Sequence, residues 1–364
     1  MGRGATVSRE REECVLELWR SGASAAAVAL RLSLSARTVY RIVQRAGLPT
    51  RAAEKTASRD RVVAAASAAC GPMTGRKLLK GALDSVGHAY GVHQIAASLR
   101  RVDALAVARR RHRLGTIPRP ERRFHSPYYG RTLHCDQNEK NVDYGVVVVA
   151  AVDGKSRHIA GMVPLFRKSN SAIHTDLYLP VVRKYGLWDT LVTDFGSENR
   201  LIHHAQRYYR RYVVGDACQV RASLMDRSVK NLPVEHTWLP FNTHVQNPVN
   251  AAFVQLEHVH GLVAQGGALY AMARVCMLVV QEGIRQFVPM WNAHYISGRG
   301  MFRAKGVPNE QLARRRNWQL RAERLLDLDA MLDSYNAHNG RPAGTAFIEN
   351  SPAVRSCEMH CDST

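Results

Sequence analysis

The feature that most constrains the fold is an apolar run of nine residues, Tyr144 to Val152, five of which are valine. Runs of β-branched residues are typical of β-strands. Leu133 to Asp136 has an extended pattern before this run. After it, the turn Asp153 to Ser156 leads to a third extended segment, His158 to Pro164. The sequence therefore predicts a meander of three strands.

The segment after the meander predicts alternating helix and strand. Apolar residues recur at four-residue intervals between 169 and 185, which favours a helix. A short apolar strand follows from Leu191 to Asp194, and a further helix is expected near Arg200 to Arg211. A meander followed by alternating helix and strand indicates an α/β fold, with a sheet of mixed direction and flanking helices.

Two aspartates stand at the carboxyl ends of predicted strands. Asp136 follows an apolar-leaning segment, and Asp194 follows a second one. In open α/β sheets, ligands bind beyond the carboxyl ends of the central strands. Carboxylate oxygens are also the ligands that Mg²⁺ prefers. We therefore expect Asp136 and Asp194 to converge on a site for divalent cations, as phosphoryl-transfer enzymes require.

The positive charge of the chain is concentrated in its first third. Lysine and arginine number 51 against 30 acidic residues, a net charge of +21. Residues 1–135 hold 25 basic and 9 acidic residues, a net charge of +16, whereas 136–364 hold 26 and 21, a net charge of +5. Such an excess indicates a polyanionic partner, most simply nucleic acid. Charge that only keeps the protein soluble is the alternative.

Three short helices are predicted in the first 50 residues: Glu12 to Arg20, Ala25 to Leu30 and Ala36 to Arg45. Ser35 is expected to cap the third helix, because its hydroxyl can accept from a free N–H group of the first turn. The arrangement resembles a helix-turn-helix, whose last helix enters the major groove. A plain three-helix bundle is the alternative. The predicted DNA contacts on the exposed face of the third helix are Arg37, Thr38, Arg41, Gln44 and Arg45.

Pro49 to Arg59 is interpreted as a polar linker. A second helical unit is predicted from Asp60 to about Ala108, and its last helix, Val92 to Val102, is another candidate for groove binding. The segment after it is basic and proline-spaced, which favours binding along a phosphate backbone; a solvated hinge is the alternative. Its predicted DNA contacts are Arg109, Arg110, Arg111 and Arg113.

Five fragments of the remaining chain resemble motifs of the integrase and transposase catalytic-core family, in the family's order. Leu133–Lys140 resembles its first-aspartate strand, and Ala151–Arg157 is similar to its D-x-x-S-R hairpin. Val192–Asn199 is similar to its second-aspartate motif, D-x-G-x-E-N. Trp291–His294 and Gly306–Asn309 resemble the C-terminal W-N-x-H and G-x-P motifs of family members from cellular genomes. The resemblance covers about 133–312.

The resemblance implies a ribonuclease H-like fold that binds two Mg²⁺ (or Mn²⁺) ions through two aspartates and a third acid on a later helix. It also implies double-stranded DNA as the partner and action as a homo-oligomer. Asp136 and Asp194 are accordingly the predicted metal ligands and catalytic residues. The predicted organisation is a helix-turn-helix over 1–50, a second helical DNA-binding unit over 60–112, a basic proline-containing linker over 113–131, an integrase-like core over 132–312, and a C-terminal helix and tail over 313–364.

At the third acid the sequence departs from the family pattern. The family helix begins with a pattern like N-x-x-x-E-R-x-W, and its best counterpart, Gln246 to Phe253, puts Asn250 in the place of the glutamate. Asn250 is therefore the predicted third catalytic position, although a neutral amide offsets less of a metal's charge and cannot act as a base. Glu257 lies two turns further on, about 10 Å along the axis, and Glu198 lies one turn past Asp194. An inactive centre, a weakly active Asp136–Asp194–Asn250 site and a different alignment of the helix all stay open.

These observations predict a Mg²⁺-dependent integrase or transposase-like polynucleotidyl transferase that cuts or joins DNA. The alternative is a catalytically inactive, integrase-derived DNA-binding protein. A helix-turn-helix regulator with an unrelated C-terminal sensor domain is disfavoured by the ordered motifs.

No membrane contact and no secretion are expected. The purest apolar run is far shorter than the ~20 residues that span a bilayer, and the first residues contain no apolar segment of the signal-peptide type. Seven scattered cysteines favour a reducing compartment. Basic character and DNA chemistry favour the nucleus, or the nucleoid in a prokaryote.

Overall fold

The structure is a computed structural model of the 364-residue chain. It describes residues 7–71, 74–108, 126–214, 222–225, 231–261, 266–297, 305–313 and 327–338. Contacts divide the chain into two units. An N-terminal unit comprises Met1–Ala69 with His93–Arg109, and a C-terminal unit comprises Cys70–Val92 with Arg110–Thr364. The predicted second helical unit, 60–112, is thereby divided between them.

The N-terminal unit begins with the three predicted helices. They are α1 (Arg9–Arg20), α2 (Ala25–Arg31) and α3 (Ala36–Arg45). A serine precedes each helix and accepts a hydrogen bond from the backbone N–H three residues later, as an N-cap should. The three helices enclose one apolar cluster, which consists of Val15, Trp19, Ala25, Val28, Ala29, Val39, Ile42 and Val43.

The polar linker predicted over Pro49 to Arg59 is wrong, because helix α4 (Arg51–Cys70) begins there. Thr50 accepts a hydrogen bond from Ala53 N at 3.2 Å, and the first turns are rich in good helix formers. Arg51 also lies 4.9 Å above the Trp19 ring, which ties the start of α4 to α1. Polar composition alone does not separate an exposed helix from a linker.

Two further helices follow α4. Helix α5 (Arg76–Ser85) belongs to the C-terminal unit, whereas α6 (Val92–Val102) belongs to the N-terminal unit and has the predicted bounds. Arg101 of α6 donates two hydrogen bonds to Asp60 of α4, both at 2.7 Å. The basic end of α6 is therefore partly neutralised by α4.

The C-terminal unit is built on the predicted mixed sheet, whose strand order is β3-β2-β1-β4-β5. The first three strands form the antiparallel meander, and β4 and β5 continue the sheet parallel to β1. The valine-rich strand β2 is buried along its whole length. The short strand β5 has no counterpart in the sequence predictions. The strands are β1 (Thr132–Asn141), β2 (Val146–Asp153), β3 (Ile159–Leu165), β4 (Thr190–Thr193) and β5 (Ser223–Met225).

Helices cover both faces of this sheet, as a ribonuclease H-like fold requires. On one face, apolar residues of β1 and β2 pack against α7, α8 and α13. On the other, Val146, Val148 and Val152 of β2 pack against α9, α10 and α11. Helix α7 consists of Asn170–Ala172, a π-helical segment Ile173–Tyr178 and Leu179–Tyr185. The other elements are α8 (Arg200–Val214), α9 (Leu232–Phe241), a π-helical segment (Asn242–Gln246), α10 (Asn247–His260), α11 (Gly266–Ala293), a strand pair β6 (Ile296–Ser297) and β7 (Lys305–Gly306), α12 (Pro308–Ala313) and α13 (Leu328–Ala337).

Helix α11 is long and apolar enough, by length and composition alone, to cross a membrane. It contains no unbroken apolar run of that length, because Arg274, Glu282 and Arg285 interrupt its sequence. Its inner face packs against the sheet. The core helix of a soluble protein can have the same length and composition. Only 28% of its most apolar 18-residue window is buried.

Candidate active site

Asp136 and Asp194 lie side by side on neighbouring strands. Residues Thr132–His134 of β1 pair in parallel with Thr190–Val192 of β4. The same register continued by two residues brings Asp136 level with Asp194, with about 5 Å between the strands. Both side chains are half-buried. Asp194 directly follows β4, as predicted, but Asp136 lies in the middle of β1, because that strand continues to Asn141.

Asn231, immediately before α9, connects that helix to both strands. Its side-chain N–H donates to the Asp194 carboxylate at 3.3 Å and to the Cys135 carbonyl at 2.9 Å. Its side-chain oxygen accepts from Nδ1 of His134 at 2.9 Å. Burial lowers the pKa of His134 to about 3, so the ring is neutral and carries its proton on Nδ1. These bonds hold the start of α9 against the aspartates.

Two more residues of α9 act on the aspartate pair. The indole N–H of Trp238 donates to Oδ2 of Asp136 at 2.7 Å. Glu235 is half-buried, and its negative charge raises the pKa of both Asp136 and Asp194. The spacing of Asn231, Glu235 and Trp238, four and then three residues, puts them on one face of the helix.

The carboxylates at this site repel one another. Burial raises the pKa of Asp136 to about 7, and the charges of Asp194 and Glu235 contribute, although the hydrogen bond from Trp238 opposes the shift. Burial also raises the pKa of Asp194, with a contribution from Glu235 and opposition from the Asn231 hydrogen bond. Negative charge is thus costly here unless a cation joins it.

The donor chemistry of Asp136, Asp194 and Glu235 fits a divalent cation. All three offer hard oxygen ligands, the type that Mg²⁺ binds, and their mutual repulsion is what such a cation removes. Among the described residues, no three histidine, cysteine, aspartate or glutamate side chains already converge as a metal-binding group. Binding therefore requires these carboxylates to turn toward one another.

The structure does not bring Asn250 to this pair. Its side-chain N–H donates to the carbonyl of Lys140 at 2.6 Å, and its oxygen accepts from Asn141. Lys140 lies four residues beyond Asp136, about 13 Å along the strand. Asn250 thus ties α10 to the end of β1. Glu257, the acidic residue of that helix, acts electrostatically on Tyr144.

The D-x-G-x-E-N motif forms the turn between β4 and α8. Glu198 accepts a hydrogen bond from Gln137, which adjoins Asp136 on β1. A Cβ atom on Gly196 would stand 2.8 Å from the Glu198 carboxylate, so the glycine leaves room for this side chain to fold back. Glu198 therefore braces the turn that carries Asp194.

The hairpin and C-terminal motifs have structural roles. Asp153 is fully buried and accepts hydrogen bonds from Gly130, Ser156 and Trp188, which fix the turn after β2. The side chain of Asn292 accepts from the N–H of Ile159 at 2.9 Å and donates to its carbonyl at 3.0 Å. This contact attaches the end of α11 to β3, beside the active-site face.

The predicted DNA contacts of α3 differ in their surroundings. Arg37, Arg41 and Gln44 are exposed, whereas the hydroxyl of Thr38 lies 2.8 Å from that of Ser35. Arg45 donates to Glu12 of α1 at 2.6 Å. The contacts predicted at Arg109, Arg110, Arg111 and Arg113 lie outside the described residues.

The sheet order, the parallel strands that carry two adjacent aspartates and the helix that packs over them define a ribonuclease H-like core of the integrase and transposase type. A family model described as an integrase core domain matches residues 124–305, half of the chain. The chain therefore belongs to the integrase core domain family, as the sequence motifs predicted. No curated protein matches the chain significantly.

Sequence reasoning missed Asn231, Glu235 and Trp238. The signal was present, because residues 231–238 read N-L-P-V-E-H-T-W and differ from the N-x-x-x-E-R-x-W pattern only where histidine replaces arginine. The sequence predictions applied that pattern to 246–253 instead. Pro233 and Pro240 give residues 231–238 little appearance of a helix, although α9 accommodates the first in its opening turn and the second near its end.

Proposed function

We propose that this chain is an active, divalent-metal-dependent DNA polynucleotidyl transferase whose three acids are Asp136, Asp194 and Glu235. The observation that carries the proposal is the face of α9, where Asn231 contacts Asp194, Trp238 contacts Asp136 and the charge of Glu235 acts on both. The inactive alternative depended on a missing third acid at Asn250. Glu235 removes that reason for it.

The residues around the site would hold and orient the metal ligands. Bound Mg²⁺ would activate the attacking oxygen and neutralise charge on the phosphate in the transition state. The indole N–H of Trp238 and the backbone N–H of Gln137 both bond to the Asp136 carboxylate and fix its orientation. Asn231 fixes Asp194 in the same way. The side chains of Trp238 and Asn231 are largely buried, so the two carboxylates are held by rigid neighbours.

The N-terminal helices are proposed to bind duplex DNA as a helix-turn-helix. Support comes from the well-formed apolar cluster of α1–α3, the capped start of α3 and its exposed Arg37, Arg41 and Gln44. Guanidinium and amide groups are suited to phosphates and base edges. Because the proposed substrate is DNA and the chain is basic, we also propose that the protein works in the nucleus, or in the nucleoid of a prokaryote.

A plasmid-nicking assay tests the enzymatic proposal without knowledge of the target sequence. Purified full-length protein and the Asp136→Asn variant would be incubated with supercoiled plasmid and Mg²⁺, Mn²⁺ or EDTA. We expect metal-dependent relaxed product from the native chain and none from the variant, with plasmid binding nearly equal in both. Binding without metal-dependent product from the native chain would refute the enzymatic proposal and leave the DNA-binding alternative.

A further inference from the structure

A large aromatic side chain is exposed directly beside the carboxylate site. Phe195 follows Asp194 in the turn between β4 and α8, so the Cα atoms of the two residues are about 3.8 Å apart. Phe195 is 53% exposed, whereas every residue of β4 before it is buried. A single exposed apolar residue needs no explanation by itself. Its place next to a proposed metal ligand is what makes Phe195 a candidate for contact with the substrate.

The turn that carries Phe195 is fixed on both sides of the ring. Before it, the hydroxyl of Thr193 donates to the backbone carbonyl of Asp194 at 2.9 Å. After it, the carboxylate of Glu198 accepts a hydrogen bond from the side chain of Gln137 on β1. The ring is therefore presented by an ordered turn, so a partner that covers it loses little free energy to ordering that segment.

The partner expected at this position is a base of the bound DNA. Asp136 and Asp194 are proposed to hold the metal at the reacting phosphodiester, so the bases on either side of that phosphodiester come nearest to Phe195. An aromatic side chain can stack on the face of any base, whatever the sequence. In a paired duplex, both faces of a base are covered by its neighbours in the stack. A face becomes free where the strands are locally open.

We propose that Phe195 stacks on an unpaired base beside the reacting phosphodiester, so that the site prefers DNA with an open segment, such as a bulge or a mismatched run, over fully paired duplex. The inference rests on the proposed binding of DNA at the carboxylate site. It adds the structural class of that DNA and the residue that selects it.

Two duplexes of the same length separate this contact from the duplex binding expected of the N-terminal helices. One is fully paired, and the other has a short run of mismatched bases at its centre. Full-length protein would be titrated into each and followed by fluorescence anisotropy in Ca²⁺, a hard cation that also takes oxygen ligands. The native chain should bind the mismatched duplex at least about fivefold tighter, which is the order of effect that one stacked base produces.

Three substitutions at Phe195 distinguish ring stacking from apolar contact. Phe195→Ala removes the ring, and Phe195→Leu keeps an apolar side chain without a flat face. Both should bind the two duplexes equally, whereas Phe195→Trp should keep the preference. Because Phe195 is exposed, all three variants should have the circular dichroism of the native chain.

Tyr295→Ala is the control for the loss of an exposed ring elsewhere. Tyr295 is 39% exposed and follows closely after Asn292, which is bonded to Ile159, the first residue of β3. Because β3 runs parallel to β4, this end of β3 lies at the opposite edge of the sheet from Asp194. Tyr295→Ala should therefore keep the native preference.

Equal binding of both duplexes by the native chain would overturn the proposal, and so would a preference that Phe195→Ala or Phe195→Leu retains. Nicking of the same duplexes in Mg²⁺ distinguishes its failure from failure of the enzymatic proposal. Equal nicking and equal binding of both duplexes would refute the stacking contact alone. A preference in Ca²⁺ that depends on Phe195, without nicking of either duplex, would refute the enzymatic proposal and leave the stacking contact in place.

Discussion

The substitution Asp136→Asn is expected to stabilise the metal-free protein at alkaline pH, although it removes a proposed catalytic group. Asparagine has nearly the same size and retains an oxygen that can accept the Trp238 N–H at the present 2.7 Å contact. It removes a negative charge that burial, Asp194 and Glu235 all disfavour. The usual loss of stability on mutation is therefore reversed at this position.

The magnitude follows from the pKa of Asp136, which the fold raises from 3.8 to about 7. At about 1.36 kcal/mol per pH unit, full ionisation costs the native state at most about 4 kcal/mol relative to the unfolded chain. Because the side chain is half-buried and its neighbours can relax, we expect about half of this, roughly 2 kcal/mol. Below pH 3.8 the carboxyl is neutral in both the native and the unfolded state, so it does not affect the free energy of unfolding. As the pH rises from 3.8 through about 7, the unfolded state ionises first, and the free energy of unfolding of the native protein falls.

Thermal denaturation in EDTA at pH 5 and pH 8 measures this effect. At pH 8 the variant should melt about 4–8 °C above the native protein, and the difference should shrink by more than half at pH 5. Mg²⁺ should raise the melting temperature of the native protein more than that of the variant. Asp176→Asn, at an exposed position of α7, serves as the control with little effect at either pH. A variant that is less stable than the native protein at pH 8 would refute the proposed repulsion.

Four further substitutions test separate parts of the structure. Trp238→Phe removes the N–H donor of Asp136, so the pKa of that carboxyl rises further, and the acid limb of the pH profile of nicking should move to higher pH. Asn292→Ala leaves the N–H and carbonyl of Ile159 without their partner, and urea denaturation should show a loss of about 2–3 kcal/mol. Arg41→Ala should weaken duplex binding and lower its salt dependence by about one counterion. Arg45→Ala should do so less in the same titration, because Arg45 is paired with Glu12.

Local patterns in the sequence predicted most of the fold. The valine-rich run gave β2, four-residue periodicity gave α7, and the Ser35 cap located the start of α3. These elements are dictated by neighbouring residues, so they can be read without tertiary contacts. Strand β5 could not be predicted, since three residues carry too little periodicity and its pairing with β4 comes only from the folded sheet.

The site was predicted only where its residues lie on predicted strands. Asp136 and Asp194 followed from strand ends and family motifs, and the parallel register of β1 and β4 brings them together. The proposed third acid, Glu235, requires a choice between two helical segments. That choice depends on the contacts of Asn231 and Trp238 with the aspartates. These are tertiary contacts, which the spacing of residues along the sequence does not predict.

The most direct test of the three-acid site compares Glu235→Gln with Asn250→Ala in the plasmid-nicking assay. Glutamine keeps the shape of Glu235 and removes its charge, whereas alanine removes the contacts of Asn250 with Lys140 and Asn141 at the far end of β1. We predict at least a 100-fold loss of the metal-dependent rate for Glu235→Gln and less than a tenfold loss for Asn250→Ala, with plasmid binding unchanged in both. Full activity of Glu235→Gln together with an inactive Asn250→Ala would contradict the assignment and return the third position to Asn250.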